Sequence, residues 1–128
     1  MFKNSKKQGD AGLGQAIAYF TMKGYDVALP LTDSADWDLI VEIDGTLKRV
    51  QVKTSTSFNK QGTMKFEAAV RGGNKTSTNS SVKGIQDQNW DVIFLCHLVT
   101  GKSALIPKDK LETSNQINLG KKYEEFFI

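Results

Sequence analysis

The stretch from Asp38 to Thr54, DLIVEIDGTLKRVQVKT, decides how this chain is read. Residues 38–43 and 47–54 are two β-rich runs, and the Asp44-Gly45 dipeptide between them suits a tight hairpin turn. Side chains alternate along a strand, so the second run places Arg49, Gln51 and Lys53 on one face and Val50 and Val52 on the other. A polar face in the middle of a sheet marks a candidate site. Asp38 opens the first run, and two adjacent antiparallel strands can then offer a carboxylate, an amide oxygen and an ammonium together.

Upstream, Leu13, Ala16, Ile17 and Phe20 recur at the spacing of a buried helical stripe, which predicts a helix capped by Asp10, running to about Lys23 and ended by Gly24. Its opposite side, Ala11, Gln15, Ala18, Tyr19 and Met22, is also largely apolar, and Gln15 is the polar group on it. Residues 25–29 read as a first short strand and 30–36 as a loop. Downstream, 55–63 is polar, 64–70 a strand, and 71–81 an exposed loop rich in Gly, Ser, Thr and Asn. An apolar strand over 90–99, a Thr100-Gly101 turn, a return strand over 103–106 and a short helix over 108–111 follow. The aromatic residues of the tail KKYEEFFI should pack on the body or on another subunit.

The chain has 128 residues, enough for one domain with a real core, and we expect a single unit. MFKNSKKQGD at the start has no apolar stretch of a leader, and no run approaches the roughly 18 to 20 apolar residues of a membrane span, so an intracellular, cytoplasmic protein is expected. One cysteine, Cys96, excludes a disulfide framework and reads as a core thiol. His97 sits in the same apolar strand with no partner at ligand spacing, a core histidine rather than a base, and Trp37 and Trp90 read as core anchors. The formal charge of +3 is mild, but it is unevenly spread: residues 45–86 carry eight basic side chains against one acid, Glu67. Such a cluster suits a phosphate-backbone binder or a plain solvated surface.

The order of these features resembles the PD-(D/E)xK nuclease superfamily. The string D-x(12)-Q-x-K, formed by Asp38, Gln51 and Lys53, is similar to its motifs II and III, and glutamine at the middle position is similar to a homing endonuclease of this family encoded by a cyanobacterial group I intron. GLGQAIAYFTMKGYDVALP resembles the family's first helix and strand, and DVIFLCHLVTGKSALIPKDKL its following core hairpin. The resemblance implies an α/β fold with a restriction-endonuclease-like core, a central mixed sheet of four or five strands flanked by helices, with helix 10–23 on one face. It implies Mg²⁺ (or Mn²⁺)-dependent hydrolysis of duplex DNA leaving a 5′-phosphate, with Asp38, Gln51, the Val52 carbonyl and Gln15 around the metal and Lys53 orienting the attacking water. Gln15 stands where the family has a glutamate, so Asp38 would be the sole carboxylate unless Asp36 contributes.

For DNA contacts the polar segments from 55 to 86 offer Lys60, Lys65, Arg71, Asn74, Lys75 and Lys83. Reading a long target needs at least two copies of so small a domain, hence a homodimer or homotetramer. Other readings stay open. Asp38 can be a strand-start cap, Gln51 and Lys53 plain strand residues, and Gln15 a structural amide. The chain can also be a junction-resolving nuclease, or a DNA-binding module that lost its chemistry, for which neutral Gln15 and Gln51 speak.

Overall fold

A computed structural model describes residues 4–33, 36–72 and 81–128. Asn4, not Asp10, caps the single α-helix among these residues: its side chain accepts from the Lys7 N–H at 2.9 Å, and α1 runs Ser5–Met22. Asp10 lies exposed inside the helix, because a cap is set by where the backbone leaves helical geometry and two further turns precede the apolar stripe. The helix ends as expected, with Gly24 at φ 84° taking the left-handed conformation that stops it.

Five strands form the main sheet: β1 (Asp26–Ala28), β2 (Leu39–Ile43), β3 (Thr46–Ser55), β8 (Val92–His97) and β9 (Ser103–Pro107), in the order β1-β2-β3-β8-β9. Only β3 and β8 run parallel; the other pairs are antiparallel. The expected turn joins β2 to β3, with Asp44 at φ 51° and Gly45 at φ 81°, the two positive values a two-residue hairpin turn of this kind needs. The mixed sheet with a helix on one face is the architecture the sequence predicts.

The opposite face is covered by a second sheet of β4 (Ser57–Phe58), β5 (Met64–Glu67) and β10 (Gln116–Leu119), in the order β10-β5-β4. β4 and β10 are too short and too polar to carry a strand signal of their own. The predicted strand over 64–70 divides into β5 and β6 (Val70–Gly72), because the Ala68 and Ala69 N–H groups both donate to the Asn115 carbonyl instead of to a neighbouring strand. β6 pairs with β7 (Ser81–Lys83), so the predicted 71–81 loop is a hairpin at its base. The helix expected over 108–111 is one 3-10 turn, Lys108–Lys110.

Two cores result. Ala16 and Phe20 of α1 pack on Leu39, Val41, Val50, Val92, Phe94 and Cys96. Between the sheets lie Phe66, Ile85, Trp90, Ile93, Leu95, Ile106, Ile117 and Leu119, with Trp37, Phe126 and Phe127 against them. Trp90 and Cys96 are therefore core residues, as expected, and the tail packs on the body through Tyr123, Phe126 and Phe127. Buried His97 bonds the Ser57 carbonyl through Nε2 at 2.9 Å, while its Nδ1 accepts from the Thr100 N–H. Those two bonds give the ring a structural role. No helix among the described residues is long and apolar enough to cross a membrane.

Gly12 is where α1 comes closest to the sheet. A Cβ there would sit 2.0 Å from Thr54 Cγ2. A mid-helix glycine costs about 1 kcal/mol relative to alanine, so the close approach is what the chain gains for it. Gly12→Ala should therefore destabilise by about 1–3 kcal/mol in urea unfolding. In a Thr54→Ser background, which removes that methyl, the same substitution should be neutral or stabilising. An equal loss in both backgrounds would show that Thr54 is not what Gly12 accommodates.

Candidate active site

Strand register sorts the side chains of β3. Val50, Val52 and Thr54 pair with Val92, Phe94 and Cys96, all in the core under α1, whereas Gln51 and Lys53 pair with Ile93 and Leu95, in the core between the sheets. Gln51 and Lys53 thus face away from the helix. On β2, Leu39 and Val41 belong to the helix-side core, so Asp38, one residue before Leu39, shares the face of Gln51 and Lys53.

Two hydrogen bonds pin Asp38 to β3. Its N–H donates to the Val50 carbonyl at 2.8 Å, and its Oδ2 accepts from the Val52 N–H at 2.8 Å. Among the described residues no hydrogen bond reaches Oδ1. Burial pushes the Asp38 carboxyl above the usual carboxylate range, outweighing the Val52 N–H and the Lys53 charge, both of which pull it down. Lys53 is half-buried and within electrostatic reach, and Gln51 is 8% exposed.

Asp38 also lines a cavity of about 380 Å³ with Leu13, Leu29, Pro30, Thr32, Asp33 and Trp37. The helix residue in this cavity is Leu13, not Gln15. Gln15 is exposed, which corrects its expected place on an inner face: α1 turns Gly12, Ala16 and Phe20 to the sheet and leaves Gln15 outside. Asp36 is corrected as well. Expected as a possible second carboxylate, it precedes β2 and is engaged elsewhere: its carboxylate binds Lys83 Nζ at 2.7 Å and the Asn89 N–H at 2.9 Å, which together hold it below the ordinary carboxylate range.

Arg49, on the same strand face as Gln51, clasps Asp91 through Nε and Nη2, both at 3.2 Å, while its N–H donates to the same carboxylate at 2.8 Å. That pair ties β3 and β8 together at the start of their parallel pairing. Among the expected DNA contacts, Lys60 is exposed in the turn from Asn59 to Gly62, Lys65 is half-buried on β5, and Lys83 is paired with Asp36. Asn74 and Lys75 lie outside the described residues, as does the Arg71 side chain.

Sequence reasoning did not anticipate Leu13, Asp33 or the Arg49–Asp91 clasp. Gly12 was the available signal for the first, since a helical glycine marks a close approach beside which the flanking residues are steered.

The central mixed sheet, backed by α1 and carrying Asp38, Gln51 and Lys53 on one face, is an α/β fold of the restriction-endonuclease type. The model of the PD-(D/E)XK endonuclease family matches residues 3–125, and the chain belongs to that family. It is accordingly a nuclease, with DNA as its substrate, in a family that generally works with divalent metals. Among solved structures, that of a bacterial homing endonuclease, I-Ssp6803I, is similar in fold, with a TM-score of 0.76 and 24% identity over 92% of this chain and 79% of that one. No curated protein matches this chain in sequence.

The site makes two predictions for the metal-free protein. A carboxyl whose folded pKa is raised gives up stability as pH climbs through that pKa, so ionised Asp38 is a cost at neutral pH. Asp38→Asn, which keeps an acceptor for the Val52 N–H, should melt later than the parent at pH 7, and the gap should close as pH falls below about 4. A mutant that melts earlier at pH 7 would overturn this account. Gln15→Glu, at an exposed position outside the cavity, should change neither melting temperature nor divalent-metal affinity; tighter metal binding by calorimetry would return Gln15 to the site.

Proposed function

We propose that the chain is a divalent-metal-dependent endonuclease that hydrolyses duplex DNA at a specific site, in the manner of a homing enzyme. The observation that carries this reading is the gathering of Asp38, Gln51 and Lys53 on one face, with Asp38 fixed to β3 and its charge under-compensated by the protein. A half-buried carboxylate with a backbone N–H partner and an ammonium nearby suits a cation, so the residues fit a metal. Asp38 Oδ1, the Gln51 amide oxygen and the Val52 carbonyl would hold it. Bound there, Mg²⁺ or Mn²⁺ would neutralise a phosphate and lower the pKa of an attacking water.

The rest falls to the protein's own groups. Lys53 orients the water and stabilises charge developing on the phosphate, because an ammonium half-withdrawn from solvent acts in a lower dielectric than a surface one. Asp38 sets the site's geometry through its two bonds to β3. Phosphate oxygens of the substrate would complete the ligand set around a bound Mg²⁺, as is common for that ion. We further propose one nuclease domain spanning residues 1–128, working in the cytoplasm as a homodimer or homotetramer, since one copy spans too little DNA for a long target.

A second reading, a DNA-binding module that has lost its chemistry, is favoured by Leu13, an apolar group where α1 meets the Asp38 cavity. Mg²⁺-dependent nicking of duplex DNA decides between the two, since a pure binder nicks at no metal concentration. Lys53→Ala should slow cleavage by about 100- to 1,000-fold with binding nearly intact. Asp38→Asn should abolish it while DNA affinity holds or rises. Equal rates in Lys53→Ala and parent would remove Lys53 from the mechanism. For the basic surface, Lys60→Ala and Lys65→Ala should each flatten the dependence of log K on log salt by up to about one unit; unchanged slopes in both would make these lysines ordinary surface.

A further inference from the structure

We infer that Lys83 is a positioning residue: through Asp36 it holds the segment that delivers Asp38 against the base of the β6–β7 hairpin. The catalytic part of this inference rests on the nuclease reading above. Lys83 Nζ meets Asp36 Oδ2 at 2.7 Å across 47 residues of sequence, and the same oxygen accepts from the Asn89 N–H at 2.9 Å. The Asp36 side chain is only 17% exposed, against 41% for Lys83. Losing the ammonium would leave a mostly buried carboxylate with one backbone partner, a costly state that the segment would relieve by moving.

The anchor behind Lys83 is tied into the core. Its carbonyl accepts from Gln88 Nε2 at 3.0 Å, and that amide also donates to the Ala68 carbonyl at 2.8 Å. Gln88 Oε1 in turn accepts from the indole N–H of Trp90 at 2.7 Å, and Lys108 donates to the Gln88 carbonyl. Gln88 is 2% exposed and Trp90 1%. A hydrogen-bonded chain therefore runs from a core tryptophan through Gln88 and Lys83 to Asp36. Only Trp37, itself packed on the core between the sheets, separates Asp36 from Asp38. A shift of Asp36 is passed on to Asp38 with little slack.

This geometry argues against Lys83 as a phosphate contact. Its ammonium already faces a carboxylate, so an approaching phosphate would have to displace Asp36 and would meet that charge as repulsion. Lysines without such a partner fit the phosphate role better.

The test compares the parent with Lys83→Met, Lys83→Arg and the exchanged pair Asp36→Lys with Lys83→Asp. Three quantities are read: the single-turnover cleavage rate with Mg²⁺ at saturating duplex DNA, the Kd for that DNA across a salt series with Ca²⁺ in place of Mg²⁺, and amide hydrogen exchange of the free protein. Lys83→Met should lose about 10- to 100-fold in rate, as a misplaced catalytic group does, with Kd and salt slope unchanged. Lys83→Arg, and in part the exchanged pair, should recover the rate. In Lys83→Met the Asn89 amide should exchange faster. A salt slope flatter by about one with the rate preserved would overturn the inference in favour of a phosphate contact. Unchanged exchange at Asn89, or loss of rate and binding together even in Lys83→Arg, would also overturn it. Exchange needs no cleavage, so a parent that cuts nothing would sink the nuclease reading while the tether is still judged separately.

Discussion

The N–H of Val52 donates to the carboxylate of Asp38, and the geometry of the site depends on that bond. β2 begins at Leu39, so Asp38 stands just where the ladder has run out and a side chain would otherwise swing into solvent. Accepting from Val52, while its own N–H reaches Val50, continues the pairing by one residue through a side chain. The bond fixes the carboxylate beside β3 and on the face of Gln51 and Lys53. It also offsets part of the cost of holding Asp38 half out of solvent: desolvation raises its pKa, and the Val52 N–H and the Lys53 charge recover only part of that.

Polar groups elsewhere divide into those that answer each other and those left free. Arg49 and Asp91 answer each other at the start of the parallel pair, where a register slip of one residue would reverse the faces of Gln51 and Val50. Asp36 and Lys83 do the same across the outer hairpin. Lys53 is set apart from these pairs: it is near enough to depress the Asp38 pKa yet not within a salt bridge of it. An ammonium held close to a carboxylate without being consumed by it remains available to a third group.

Much of this was legible in the sequence, for identifiable reasons. The β2–β3 hairpin is local, its turn is dictated by Asp44-Gly45, and strand alternation alone fixes which side chains share a face. The apolar runs of α1, β8 and β9 are long enough to be read by periodicity. The second sheet was not legible because β4 and β10 have two and four residues and are defined by partners far along the chain. Gln15 was misplaced for a different reason. Apolar residues surround α1 on more than one side, so composition could not say which side meets the sheet; Gly12, whose missing Cβ permits the contact with Thr54, decides it. Asp36 failed because its partner, Lys83, lies 47 residues away.

The parallel pairing of β3 with β8 gives the uneven charge of the sequence a spatial meaning. A parallel neighbour needs a crossover connection, and here that connection is residues 56–91. Among its described residues there is no α-helix. The face under α1 is already filled by Ala16 and Phe20, so the chain crosses on the other side, where β4 and β5 build the second sheet over the face of Gln51 and Lys53. Ser55, at the end of β3, bonds the Lys65 carbonyl and ties the two layers at this point. Among the described residues Lys60, Lys65 and Lys83 lie on that crossover, with Lys53 on the sheet face beneath it. Topology therefore carries Lys60 and Lys65, two of the basic residues clustered in the sequence, to the side of the sheet that bears Gln51 and Lys53.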